Sequence, residues 1–453
     1  MVTLNLIFVK PIDNSQLIGM LGVAVAQLQV GRYFMSEEAY EPLTVESLPL
    51  RLGNIKSITK HIGDEFQDWQ VTEVGDGNLN LVFVVSGDGA SVIVKQALPY
   101  VRLVGDSWPL PLNRSFFEHE VLVRQSARDP GSVPEIYYFD EIQALIVMEM
   151  LSPHKILRRK LIEGERVVGL ADRLGKFCAR MAFRGSDLSL ATTEKKKDVA
   201  LFQGNFELMA ITENLVFTDP YFAADMNHNT PELKPVIDRL RGDAHLKREA
   251  QRMLFKFTAN AETLLHGDLH SGSVMCTESD TKVIDPEFGF YGPMGFDLGM
   301  LISNYLMAYF AQPGHRLEND LTSYQSWILE VIEDTVDVFM AEFDLLWNSE
   351  RTGILYSASL FENQGHSSAS ALHDFKRHIW EDAVGICGIE MHRRVLSLAH
   401  NADFEDIQDT KIRAPLEARN LMMGRELVLQ RGAVKSVDQL VDLAKRYNSE
   451  VHL

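Results

Sequence analysis

Between residues 69 and 150 the apolar residues come in short runs divided by turn residues. Trp69–Val74 leads into Gly75-Asp76-Gly77-Asn78, Leu81–Val85 into Ser86-Gly87-Asp88-Gly89, and Ser91–Lys95 follows. Two apolar runs about a Gly-Asp-Gly turn predict a β-hairpin, since residues tolerant of positive φ close a tight loop with the twist of the strands. From 113 to 127 the period changes. Phe116, Phe117, Val121 and Leu122 recur at near-helical spacing, with Glu118 among them. A second hairpin fits Val133–Phe139 and Ile142–Met150 about Asp140-Glu141. Past Leu151 the period is helical: Leu161–Phe183, Asn205–Val216, Pro231–Thr263, Gly299–Gln312, Leu321–Asn348, Asp374–Ala399 and Pro415–Arg431 all support helices, and only Lys282–Phe290 reads as extended.

The pattern predicts an α+β protein of two lobes. A small β-rich N-lobe spans 35–150, a large mainly helical C-lobe spans 151–453, and the chain crosses near Glu149–Pro153. A cleft between such lobes is where ligand sites form. Residues 1–34 fall outside this scheme. Met1–Val9 and Leu17–Ala26 are apolar, but the basic residues Lys10 and Arg32 do not precede the first apolar run as a secretory signal requires. We read 1–34 as an extension outside the fold, with an organelle address as the alternative, and Met35 as the natural start. Leu298–Ala311 is the longest apolar run in the body, too short for the ~20 residues a bilayer needs. It predicts a buried helix, and no membrane partner is expected.

Composition narrows the field. Asp and Glu number 63 against 44 Lys and Arg, and the net charge of −19 repels phosphate backbones, so no nucleic-acid partner is expected. Cys178, Cys276 and Cys387 are far apart and odd in number, which suits neither a zinc site nor a disulfide framework. A reducing, cytoplasmic compartment is the expectation.

The chemistry concentrates in three stretches. In His266-Gly267-Asp268-Leu269-His270-Ser271-Gly272-Ser273 the glycines argue for a loop, and the His-Glu-x-x-His arrangement of a helical zinc site is absent. The stretch reads as a catalytic loop whose Asp268 faces a hydroxyl nucleophile. Val283-Ile284-Asp285-Pro286-Glu287 follows. Pro286 drives Asp285 out of the helical region, and an extended chain would then project Asp285 and Glu287 to one side, ~7 Å apart at the backbone. Paired hard-oxygen ligands of this kind suit Mg²⁺ carrying substrate phosphates. Near the front, Gly75, Gly77 and Asn78 form a turn that lets backbone N–H groups approach phosphate oxygens. Lys95 ends an apolar strand, where Glu118 on the following helix can hold its ammonium. The order glycine turn, lysine strand, acidic helix, aspartate loop, metal aspartate is more specific than any one part.

With these stretches, Gly105-Asp106-Ser107-Trp108-Pro109 and Asp285–Asp297, the chain resembles the protein-kinase-like phosphotransferases, the branch of aminoglycoside and choline kinases, and within it closely the methylthioribose kinase family. The likeness runs from about residue 36 to the C-terminus, and its Asp-Pro-Glu triplet is distinctive. It implies a bilobal protein-kinase-like fold and a homodimer that phosphorylates S-methyl-5-thio-D-ribose at the 1-hydroxyl, with ATP and Mg²⁺, in methionine salvage. It further implies that Asp268 is catalytic, that Asp285 and Glu287 bind Mg²⁺, and that Lys95 contacts phosphate. Glu149, Met150 and Leu151 then fall where backbone binds adenine, Trp108 on a loop beside the sugar, and Arg393 and Arg394 at the substrate.

Ser273 stands where the wider superfamily has a metal-binding asparagine, and Glu287 can offset that loss. Adjacent side chains leave a helix ~100° apart, so Arg393 and Arg394 are not expected to face one substrate atom squarely: either the helix ends there or one of the two is structural. His266 reads as a packed support of the loop, and Asp297 as a cap for the helix that follows and a brace for the loop. Two alternatives stay open: a kinase for another small sugar or amino alcohol, and an inactive nucleotide-binding module.

Overall fold

The computed structural model describes residues 40–75, 79–101 and 105–450; the extension 1–34, Gly77 and Asn78 lie outside the described residues. Two short helices, α1 (Ser47–Leu52) and α2 (Lys56–Ile62), precede the strands β1 (Gln70–Glu73), β2 (Asn80–Gly87) and β3 (Ala90–Ala97). A two-stranded ribbon follows, β4 (Tyr100–Val101) and β5 (Gly105–Pro109), then helix α3 (Arg114–Arg128) and strands β6 (Ile136–Asp140) and β7 (Leu145–Glu149). Five of these strands form an antiparallel sheet in the order β1-β2-β3-β7-β6. The Gly-Asp-Gly turn is as the sequence required: Gly87 pairs with Ala90, and Asp88 and Gly89 both have positive φ. Val92 and Val94 point into the N-lobe core with Phe83, Val85, Leu145 and Val147. Alternation along β3 therefore turns Lys95 to the other face, toward the C-lobe.

The C-lobe begins with β8 (Lys155–Ile156) and the helices α4 (Leu157–Glu163), α5 (Leu170–Arg184), α6 (Thr192–Phe202), α7 (Phe206–Phe217), α8 (Lys234–Gly242) and α9 (Ala244–Ala259). Four short strands then carry the chemistry-bearing loops: β9 (Thr263–Leu264), β10 (Val274–Cys276), β11 (Thr281–Val283) and β12 (Tyr291–Gly292). Helices α10 (Phe296–His315), α11 (Glu318–Ser349), α12 (Ala369–Leu396), α13 (Ala402–Glu405), α14 (Thr410–Gln430) and α15 (Val437–Ser449) complete it. Helix α10 is buried on every side from Phe296 to Gln312, as an all-round apolar helix must be. Leu122, Ile146 and Met148 join the C-lobe core from the N-lobe side, so one apolar body runs under both. At the crossing of α12 and α14, a Cβ on Gly388 would strike the Gly424 carbonyl; glycine permits the close approach.

Several boundaries differ from the expected ones. The run Leu161–Phe183 is two helices, because Gly164 and Gly169 adopt left-handed φ and end one helix and begin the next. The run Pro231–Thr263 breaks at Asp243, whose carboxylate accepts from His245 N (2.9 Å) and Leu246 N (3.0 Å) and so starts α9. Strand structure in Lys282–Phe290 stops at Val283. Asp285 has φ +67, so it is left-handed rather than extended: Pro286 bars the right-handed helical region but leaves this one open. Among the described residues no helix is long and apolar enough to cross a membrane.

Candidate active site

The loop 266–273 is held from below by its own neighbours. Gly267 has φ +86, and a Cβ there would collide with the Phe288 carbonyl, so only glycine lets the two segments lie this close. The Asp297 carboxylate accepts from His266 N (2.7 Å) and Gly267 N (3.1 Å). It braces the loop as expected, but it does not cap α10, which starts from Gly295 with no side-chain cap; Asp297 lies inside the first turn and is engaged elsewhere. His266 is buried; its Nε2–H donates to Ile284 O (2.9 Å) and its Nδ1 accepts from Asp268 N (3.3 Å). Ser273 Oγ donates to Asp268 O (3.1 Å) and thus ties the loop to itself.

The Asp268 carboxylate meets three donors. Oδ1 accepts from Arg393 Nη2 (2.8 Å) and Arg394 Nη2 (3.0 Å), and Oδ2 lies 3.2 Å from His270 Nε2. Gly272 N–H donates to His270 Nδ1 (2.9 Å), so the ring proton sits on Nε2 and points at Asp268. Burial pushes the imidazole down to about 4 although Asp268 pulls the other way, so the ring is neutral near pH 7. Burial opposes the charge of Asp268, yet His270 and the two guanidinium groups together hold it well below the usual carboxylate range. The arginine pair corrects the sequence expectation. α12 does run on to Leu396, but long side chains reach around the helix, and both guanidinium groups share one oxygen.

Opposite this loop the N-lobe contributes Lys95. Its Nζ donates to Glu118 Oε1 (2.8 Å) and to Asp285 Oδ1. Burial works against the ammonium, but Asp285, Glu118 and Glu287 outweigh it and raise its pKa. Burial raises Glu118 to about 7 despite Lys95, and raises Glu287 as well. Asp285, whose side chain stays open to solvent, is lowered by Lys95 against the cost of its desolvation. Glu287 Oε2 accepts from Asn80 Nδ2 (3.2 Å) and lies 3.6 Å from Arg114 Nε. One oxygen each from Glu118, Asp285 and Glu287 lie within 4.8 Å of one another. Three carboxylates thus face two cations, Lys95 and Arg114, with Glu118 and Glu287 buried and Asp285 open to solvent, which leaves hard oxygens that an ion can reach. That donor set fits a magnesium ion.

Gly75 stands in open space, where a Cβ would meet nothing within 4 Å. Glu149, Met150 and Leu151 lie at the passage between lobes, with Glu149 N donating to Glu135 O (2.8 Å). Trp108 is on β5, and its side chain lies outside the described residues. The structure thus brings Lys95, Glu118, Asp285 and Glu287 together in one cluster, and Asp268, Arg393 and Arg394 in another. Sequence reasoning missed Glu390, His270, Asn80 and Arg114 as partners. Glu390 was findable, since it stands three and four residues before the arginine pair. Arg114 gave no signal, because its partners are mostly backbone carbonyls: Leu98 O (2.6 Å), Pro111 O (3.0 Å) and Leu79 O (2.7 Å).

Residues 70–328 match the phosphotransferase enzyme family. A methylthioribose kinase of Escherichia coli is 42% identical over 90% of this chain and 98% of its own length. Methylthioribose kinase 1 of rice, Oryza sativa, is 39% identical over 89% of this chain and 95% of its own. The enzyme of that name from Geobacillus kaustophilus is 40% identical over 86% and 93%. Among solved structures, an ethanolamine kinase of Plasmodium vivax is similar with a TM-score of 0.44 at 11% identity, covering 90% of this chain and 95% of that one. The α+β, bilobal, kinase-like fold implied by the sequence is the one found. The length and level of these matches settle the kinship: this chain belongs to the methylthioribose kinase family, within the phosphotransferase enzymes.

Proposed function

We propose that this protein transfers the γ-phosphoryl group of ATP to the 1-hydroxyl of S-methyl-5-thio-D-ribose, giving ADP and S-methyl-5-thio-α-D-ribose 1-phosphate, a step of methionine salvage. The observation that carries the reading is the Asp268 carboxylate, fixed by Arg393, Arg394 and His270 on a loop that His266 ties to Ile284, the residue before Asp285 of the Lys95–Glu118–Asp285–Glu287 cluster. The names of its relatives supply the acceptor. Residues 35–150 are then the nucleotide lobe, with Gly75, Gly77, Asn78 and Glu149–Leu151 assigned to ATP and Trp108 assigned to the sugar, and 151–453 the acceptor lobe.

Asp285 and Glu287 would hold Mg²⁺, which when bound neutralises charge on the phosphates. Lys95 neutralises phosphate charge from the N-lobe side. Asp268 accepts a hydrogen bond from the 1-hydroxyl and orients it in line with the γ-phosphorus. The new bond joins the 1-oxygen to phosphorus, the bond from phosphorus to the β–γ bridging oxygen breaks, ADP leaves with that electron pair, and the hydroxyl proton passes to Asp268. Because two arginines keep Asp268 a weak base, its first duty is orientation, and the proton moves late; a loose phosphoryl transition state asks little of a base. Arg393 and Arg394 present planar, permanently charged forks to sugar hydroxyls and to the transferring group. Three buried free thiols suit a reducing compartment, the cytoplasm. The same reading takes the protein as a homodimer, which sedimentation equilibrium checks.

ADP release measured over methylthioribose, ribose, choline and an aminoglycoside tests the reading. Methylthioribose is expected to give the highest kcat/KM, and preference for another acceptor overturns the substrate. Asp268→Asn is expected to lower kcat by about 10³-fold with ATP binding kept. Turnover within threefold of wild type removes Asp268 from its role.

A further inference from the structure

We infer that Glu390 is a positioning residue for the transfer: it seats both arginines so that their outer nitrogens converge on the acceptor. The inference rests on the reading above, in which Arg393 and Arg394 meet the sugar. Glu390 precedes them by three and four residues on α12, the spacings that share a helix face. Its side chain has no exposed surface. Oε2 accepts from Arg393 Nε (2.5 Å), and Oε1 accepts from Arg393 Nη2 (2.9 Å) and Arg394 Nε (2.6 Å).

This carboxylate accounts for the convergence that helix geometry alone denies. Two neighbouring side chains leave the axis ~100° apart and carry like charge, so left to themselves they separate. Glu390 bridges both Nε groups, turns the two planes toward each other, and sends one Nη2 from each to the same oxygen of Asp268, at 2.8 and 3.0 Å. The four groups form a closed ring of alternating charge. Its two acidic members differ in access: Glu390 is sealed, whereas the Asp268 side chain keeps 22% of its surface exposed. The Asp268 contacts are therefore the ones that an arriving sugar exchanges, while the Nε contacts to Glu390 persist and hold the forks in place. Glu390 itself touches neither acceptor nor nucleotide.

The test compares Glu390→Gln and Glu390→Asp with wild type. Glu390→Gln keeps the shape and removes the charge. It is expected to lower kcat/KM for methylthioribose about 100-fold, the scale of a 1 Å misplacement, while KM for ATP stays within twofold. Glu390→Asp keeps the charge one methylene short and is expected to recover at least tenfold of that loss. A role confined to folding would reduce active protein and leave both KM values alone. The inference is overturned if Glu390→Gln retains kcat/KM within threefold, if KM for ATP rises as much as KM for the sugar, or if Glu390→Asp is no better than Glu390→Gln. Should Glu390→Gln not accumulate as folded protein, wild type answers instead. The Nε–H signals of Arg393 and Arg394 should exchange slowly with and without methylthioribose, and fast exchange of either in the sugar complex overturns the inference. Wild-type turnover on methylthioribose tests the acceptor assignment separately, so failure of that reading is told apart from failure of the role given to Glu390.

Discussion

His392, beside the arginine pair, is enclosed between α12, α14 and Tyr221, with its Nε2–H donating to Leu421 O (3.0 Å) and its Nδ1 accepting from the Tyr221 hydroxyl (3.1 Å). Burial pushes it down from 6.5 to about 4. The folded value is the lower one, so between pH 6.5 and 4 the unfolded chain binds the extra proton. The stabilisation is complete above pH 6.5 and is lost as pH falls toward 4, by about 3 kcal/mol in all. Urea midpoints at pH 7, 6 and 5 for wild type and His392→Gln check this. Wild type should lose about 0.7 kcal/mol more than the variant from pH 7 to 6 and about 1.2 kcal/mol more from pH 6 to 5, and parallel curves would remove His392 from the account. At this scale the sequence was legible wherever a residue type has one plausible task. Lys95, Glu118, Asp268 and Asp285 were chosen for their charge at a spacing, and the structure brings Lys95 to both Glu118 and Asp285. Conformation was less legible. Asp285 reaches Lys95 from a left-handed backbone, and Asp297 serves the loop instead of capping a helix; both outcomes depend on which partners surround the residue, and a local rule about φ or capping does not contain them.

Helix α3 is anchored at both ends, and this keeps Glu118 and Arg114 over the metal-type cluster. At its start Arg114 is fully buried against Leu79, Leu98 and Pro111 carbonyls and Asn80 Oδ1 (3.0 Å). Toward its end Arg124 donates twice to Asp198 Oδ1, from Nε (2.9 Å) and Nη2 (2.6 Å), and the Tyr291 hydroxyl on β12 donates to Asp198 Oδ2 (2.7 Å). Asp198, on α6, thereby ties the N-lobe helix to the segment just past Asp285. Asp198→Asn removes a charge from bonds of the stronger, charge-assisted kind and is expected to cost about 2 kcal/mol in chemical denaturation. With the helix loosened, KM for ATP should rise while kcat moves less, since Glu118 holds Lys95, which the proposed function assigns to the nucleotide phosphates. An unchanged KM for ATP in a destabilised variant would show that the tie does nothing for the cluster. Periodicity located α3 and the sheet well, because α3 buries one face and the strands are short apolar runs with clear turns around them. It missed α1, α2, α6, α13 and α15. Thr192–Phe202 shows the reason: Lys195, Lys196 and Lys197 stand inside the helix, and Lys195 is buried by bonding Asp187 (3.0 Å) and the Ala261 and Glu262 carbonyls, so no apolar stripe marks it.

At the scale of the whole molecule, the chemistry-bearing groups of the two lobes meet at the Lys95–Asp285 pair. Lys95 and Glu118 come from the N-lobe, Asp285 and Glu287 from the C-lobe, and the Lys95–Asp285 pair spans 190 positions of sequence. The two-lobed order was legible because strands and helices segregate along the chain. The distance across the cleft was not, since no local pattern encodes how two lobes pack. A ligand held from both sides stabilises the folded state as a unit, because unfolding either lobe releases it. At 100 times its Kd, magnesium with ADP should add about 2.7 kcal/mol to the unfolding free energy of both lobes in one transition. Asp285→Asn with Glu287→Gln leaves Lys95 and the adenine region in place but withdraws the charged oxygens. In that variant ADP alone should stabilise at least as well as in wild type, since two negative charges that face its phosphates are gone. Added magnesium should contribute nothing further. Thermal melts with ADP, with and without magnesium, separate the two terms. A magnesium increment of wild-type size in the double variant would place the ion on other residues, and nucleotide stabilisation confined to one lobe would deny that the cleft is bridged at all.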